Sequence, residues 1–107
     1  MRILEFDVVK QRITKKQDCD FSDLVAGSIG YLHAKFYFSN NEWNKCTQRV
    51  ARFWIGDQEH ARLLDENDSC DIPPEVLAGK RFSVSVVGVG NDYRIETNKT
   101  NVRQEVY

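Results

Sequence analysis

Tyr31–Ser39 reads YLHAKFYFS, and its alternation decides the fold. Leu32, Ala34, Phe36 and Phe38 point one way, while His33, Lys35, Tyr37 and Ser39 point the other. Successive side chains of a strand lie on opposite faces, so one face of this segment belongs to a core and the other is exposed. The same period of two recurs on both sides of it. Leu4, Phe6 and Val8 alternate with Glu5, Asp7 and Val9, and in Thr47–Ile55 the residues Ala51, Phe53 and Ile55 oppose Val50, Arg52 and Trp54. Phe82, Val84 and Val86 alternate with Ser83, Ser85 and Val87.

Shorter extended pieces are expected at Phe21–Ser28, Glu59–Leu64, Cys70–Ile72, Tyr93–Thr97 and about Thr100–Val106. Turn chemistry separates them. Lys15-Lys16-Gln17-Asp18 and Asn40–Asn44 read as loops, Gly27 and Gly30 end the second strand, Gly56-Asp57 is a tight turn, and Gly88–Asp92 reads as a hairpin loop. Pro73–Leu77 reads as one helical turn, since proline is tolerated at a helix start, with Gly79 ending it. Roughly eight short strands in 107 residues make an all-β chain, a single domain over 1–107 built as a two-layer sandwich or a small barrel.

Fifteen basic against sixteen acidic residues leave a net charge of -1, without the basic excess that draws a protein to nucleic acid or to anionic lipid. No apolar run approaches the length of a membrane span, and the first residues, MRILEFDVVKQR, are charged where a signal peptide is apolar. Synthesis and retention in a cytoplasm is the expectation. Cys19, Cys46 and Cys70 are an odd number without a C-x-x-C pair, which argues against a disulfide framework and against a zinc site.

The stretch DENDSC, Asp65–Cys70, raises the question of a calcium loop. Asp65, Asn67 and Ser69 suit the first three ligand positions, but the sixth, where a glycine bends the loop, is Cys70. The twelfth is Val76, with Glu75 one place short, so a polar turn is the better reading. Gly88-Val89-Gly90 lacks the third glycine and the helix of a nucleotide fingerprint. His33 and His60 alternate with apolar neighbours and fall on exposed strand faces, and no G-x-S-x-G or family-type cysteine motif occurs. No catalytic residue, metal ligand or cofactor is implied.

Trp43, in a polar loop directly after a core strand, is expected to fold back as a plug for one end of the core. Trp54 is out of phase with Phe53 and Ile55, so it stands beside Arg52 on the outer face. There it serves either as an interface aromatic or as a residue covered by further structure.

The order of segments YLHAKFYFSNNEW, a strand ending at Gly56-Asp57, LLDENDSCDIPPEVL, RFSVSVVG and RIETNKTNV resembles a family of small β domains in virion proteins of bacteriophages of low-GC Gram-positive bacteria. The resemblance covers about Ser22 to Val106. The chain departs from it in having Pro74 where the family usually has Trp, and Lys45-Cys46-Thr47 where it has Gly-Leu-Thr. The resemblance implies an antiparallel immunoglobulin-like sandwich of about seven or eight strands. It also implies a non-enzymatic role as a docking domain of the tail tip, baseplate or fibre, located in the virion. A capsid decoration or head-fibre base protein, and a module for host cell-surface glycan, are the alternatives. The expected partners are other virion proteins in a symmetric or homo-oligomeric assembly, with Tyr37, Trp54, Tyr93 and Tyr107 as candidate anchors.

Overall fold

The computed structural model describes residues 1–39 and 41–107; Asn40, which the sequence places in a loop, lies outside the described residues. Nine strands are described: β1 (Arg2–Val9), β2 (Arg12–Lys15), β3 (Leu32–Phe38), β4 (Gln48–Ile55), β5 (Gln58–Leu63), β6 (Ser69–Asp71), β7 (Arg81–Gly90), β8 (Tyr93–Glu96) and β9 (Thr100–Arg103). They form two layers. One sheet has the order β2-β1-β3-β6; the other has the order β5-β4-β7, with β8 pairing the last half of β7 and β9 the first half along its far edge. The chain is an all-β sandwich rich in antiparallel pairs, with β1 and β3 as a parallel exception.

The alternation at Tyr31–Ser39 acts as read. Leu32, Ala34 and Phe36 of β3 and Leu4, Phe6 and Val8 of β1 are buried, and they face Ala51, Phe53, Phe82, Val84 and Val86 of the other sheet in one core. Phe6 stacks on Phe36 at 5.3 Å between ring centroids. Burying a side chain of this size contributes about 1.5–3 kcal/mol, so these strands carry most of the driving force for folding.

Trp43 is fully buried on a 3-10 turn over Asn41–Lys45, and its indole N–H donates to the Lys10 carbonyl at 2.8 Å. It closes one end of the core, as expected. The other end is closed by Val76 and Leu77, both fully buried, on a turn whose amides bond the carbonyls of Pro73 and Pro74.

Three boundaries differ from the sequence reading. Phe21–Ser28 is not a strand, apart from a single parallel bridge between Val25 and Glu105. Asp23 and Gly27 hold positive φ, and the Arg2 guanidinium donates to the carbonyls of Asp20 and Ser22 at 2.9 and 2.7 Å. The apolar residues there dock singly: Phe21 lies edge-on to Phe6, and Leu24 is buried. The missing strand is β2, which begins before the expected loop and has only Ile13 facing the core. At the other hairpin, β7 runs through Gly88 to Gly90, and the turn is confined to Asn91-Asp92. Finally, β9 stops at Arg103; the next residue, Gln104, is buried like Val102, and its side-chain amide donates to the carbonyls of Leu77 and Gly79.

Candidate functional site

The acidic stretch is a turn. One carboxylate oxygen of Asp65 accepts the amides of Asn67 and Ser69 at 2.9 and 3.0 Å, and Asp68, at a φ of 56°, pairs with Arg49 at 2.9 Å. The carboxylate at the first of the calcium-loop positions, Asp65, is therefore engaged in shaping the turn. Among the described residues, no group of three or more His, Cys, Asp or Glu side chains is placed to hold a metal ion. His33 lies half-buried on the outer face of its sheet. His60 differs from expectation: it pairs with the inward-pointing Phe53 and is half-buried at the sheet edge.

The four candidate anchors do not share a surface. Tyr37 lies on the outer face of the β1–β3 sheet, where its hydroxyl donates to the Glu5 carboxylate and the ammonium groups of Lys16 and Lys35 stand 4.9 and 5.4 Å from the ring. The bond to Glu5 pushes the phenol pKa up. Trp54 lies on the outer face of the opposite sheet. Tyr93 sits beside the Asn91-Asp92 turn with Lys45 at 5.5 Å, and desolvation raises its pKa. Tyr107 is 93% exposed near the end of the chain, and its hydroxyl donates to Glu105 at 3.3 Å.

Trp54 is half-buried. Its indole N–H donates to Ser85 at 3.0 Å, with Lys99 at 3.8 Å and the Arg52 guanidinium at 4.7 Å from the ring. Arg52 is itself gripped by Glu59, at 2.6 and 3.0 Å, and by Glu96. Side chains, not a further sheet, cover the indole. The result is a pinned cation–π cluster rather than an open aromatic platform.

Beside this cluster lies the feature that sequence reasoning missed, the outer edge of β5. Leu64 donates to Arg49 in the β4–β5 ladder, so by antiparallel alternation residues 58, 60 and 62 bond β4, while the amides and carbonyls of Glu59, Ala61 and Leu63 point away. The only described bond at that edge is from the Arg62 side chain to the Ala61 carbonyl, at 3.1 Å. Leu63 is 60% exposed there, on the same face as Ala61 and Val50. The β2 edge is treated differently, because Asn98 accepts from the Ile13 amide at 2.8 Å and donates to the Gln11 carbonyl.

No family model, curated protein or solved structure matches the chain. No described helix is long and apolar enough to cross a membrane. The concave regions do not converge on the anchors either. A groove of about 440 Å³ lies between the start of β4 and the β5–β6 turn, lined by Arg49, Leu63, Asp65, Glu66 and Asp68 among others, and Arg49, Asp65 and Asp68 are the residues that fasten the turn.

Proposed function

We propose that the chain is a non-enzymatic structural domain of a bacteriophage particle, docking on other virion proteins at the tail tip, baseplate or fibre. The motif order over Ser22–Val106 supports the particle, and the open edge of β5 supports docking. An edge strand with unpaired amides and carbonyls is a template for another strand, and natural domains usually blunt such an edge. Here its central outward residue is Ala61, small enough for a neighbouring strand to approach. Leu63 and Val50 beside it offer apolar area that an incoming strand would cover. Strand addition supplies affinity through main-chain bonds and specificity through alternate side chains.

The deciding experiment is to purify particles and locate the chain in a cryo-electron map. Density at the tail tip, baseplate or fibre, with a strand of a neighbour along β5, is the expected result. Density spaced over the capsid would replace the tail location by a decoration or head-fibre role, and absence from the particle would overturn the proposal. Ala61→Pro tests the docking mode separately. Its lost N–H is not part of the β4–β5 ladder, so the domain should fold yet fail to incorporate; normal incorporation would exclude β5 as the docking edge.

A further inference from the structure

Arg81 of β7 and Arg103 of β9 are direct cross-strand partners. Opposed residues of an antiparallel pair hold their Cβ atoms about 4.5–5.5 Å apart, and like charges in that position destabilise the pair. Lys80 adjoins them in the chain, and on the other side of Arg81 the β4–β7 register brings Gly56 next to it. Lys80, Arg81, Arg103 and Gly56 line a concavity of about 460 Å³. The space beside Gly56 is open, since a Cβ built there would meet nothing within 4 Å.

Among the described residues, most other lysine and arginine side chains are held by carboxylates, carbonyls or aromatic rings, as in Arg2, Lys35, Arg49, Arg52 and Lys99, while Arg12 on β2 stands by itself without such a described partner. Lys80, Arg81 and Arg103 have no such described partner. Asp23 and Glu105 line the adjoining groove with Lys80 and Arg103, and neither forms an ion pair with them. Three cations without a described ion pair therefore line one cleft, two of them a like-charged cross-strand pair.

We propose that this cleft binds a tetrahedral oxyanion, a phosphate group. Guanidinium forks match phosphate oxygens with paired N–H donors, and Lys80 adds a point charge. A bound dianion would lie between Arg81 and Arg103 and convert their repulsion into attraction. The assignment is independent of where the domain docks, because it rests on the cations around the β7–β9 pairing and not on the β5 edge.

Inorganic phosphate is the probe, compared with sodium chloride at equal ionic strength and pH 7. Phosphate should raise the melting temperature where chloride does not, and should shift amide resonances at Gly56, Arg81 and Arg103. Arg103→Gln should melt higher than the parent in chloride, through relief of the like-charge pair, and lose the response to phosphate. Lys80→Gln, which leaves the β7–β9 pair intact, should weaken that response. Equal effects of phosphate and chloride, or a response surviving Arg81→Gln combined with Arg103→Gln, would overturn the assignment. Glycerol phosphate separates the two sources of the group: binding as tight as that of the free ion marks a phosphate ester as the ligand, and binding of the free ion alone marks inorganic phosphate.

Discussion

Gly88→Ala tests the packing that closes one end of the core. A Cβ on Gly88 would overlap Cys46 Sγ and lie 2.8 and 3.0 Å from Cζ3 and Cε3 of Trp43. The thiol can rotate aside. The indole cannot, because its N–H is tied to the Lys10 carbonyl and its ring packs on Phe38 at 4.9 Å. Two effects of opposite sign compete: alanine is favoured over glycine inside a strand by about 0.5–1 kcal/mol, whereas forcing a methyl into a packed core costs about 1–3 kcal/mol. The clash wins, with a net loss of about 1–2 kcal/mol. For a domain of this size that lowers the melting temperature by roughly 5–15 °C. Urea unfolding followed by circular dichroism gives the free energy, and an unchanged slope with urea confirms that stability changed without a change in the surface exposed on unfolding. Because the thiol can rotate aside, adding Cys46→Ala should leave most of the loss in place, with free energies additive to within about 0.5 kcal/mol. A Gly88→Ala protein as stable as the parent, or full recovery on adding Cys46→Ala, would refute the idea that the glycine exists to admit the indole.

Other consequences are as direct. Asn98→Ala leaves the amide of the buried Ile13 without its acceptor and should cost about 1–3 kcal/mol in urea unfolding; no loss would mean that the β2 edge needs no seal. The bond from Arg52 holds the Glu59 carboxyl below its ordinary value near 4.5, so this interaction stabilises the fold above that pH and is lost as pH falls through the lowered value. Glu59→Gln should therefore show a shallower acid-side fall in melting temperature than the parent, and an identical slope would remove Glu59 from the acid response. Burial pushes the Cys70 thiol up to about 12, which leaves almost no thiolate at pH 8. Mass spectrometry after iodoacetamide treatment of the native protein should find Cys70 unmodified until urea is added, and labelling at the rate of an exposed thiol would contradict its burial.

The strands that were legible in the sequence are those whose own alternation sets one face against the core. β1, β3 and β4 bury alternate residues, and β7 starts the same way at Phe82 and Val84 before burying Val84 to Gly88 without a break, so period two identifies them without knowledge of their neighbours. β2 escaped because four residues with one inward side chain, Ile13, carry no period. Phe21–Ser28 misled because Phe21 and Leu24 are apolar for separate reasons, each filling its own gap while Arg2 holds the surrounding carbonyls. Gly88 and Gly90 looked like turn residues, yet their lack of a side chain serves close approach: Trp43 and Cys46 crowd one, and the Lys45 carbonyl crowds the other.

Surface features are less legible still, because they depend on which strands become neighbours. Trp54 was correctly placed on an outer face by phase alone, but the cations that cover it come from its own strand and from Lys99, far away in the chain. The open edge of β5 depends on β5 ending the sheet, which no local pattern encodes. Arg81 and Arg103 are unremarkable apart; only the β7–β9 register sets them opposite each other, near the open space beside Gly56. The fold gives Arg52 two carboxylates and Arg49 one, while leaving this cross-strand pair without a described partner. That contrast within one sheet, rather than the total charge of -1, points to an anion as the missing partner.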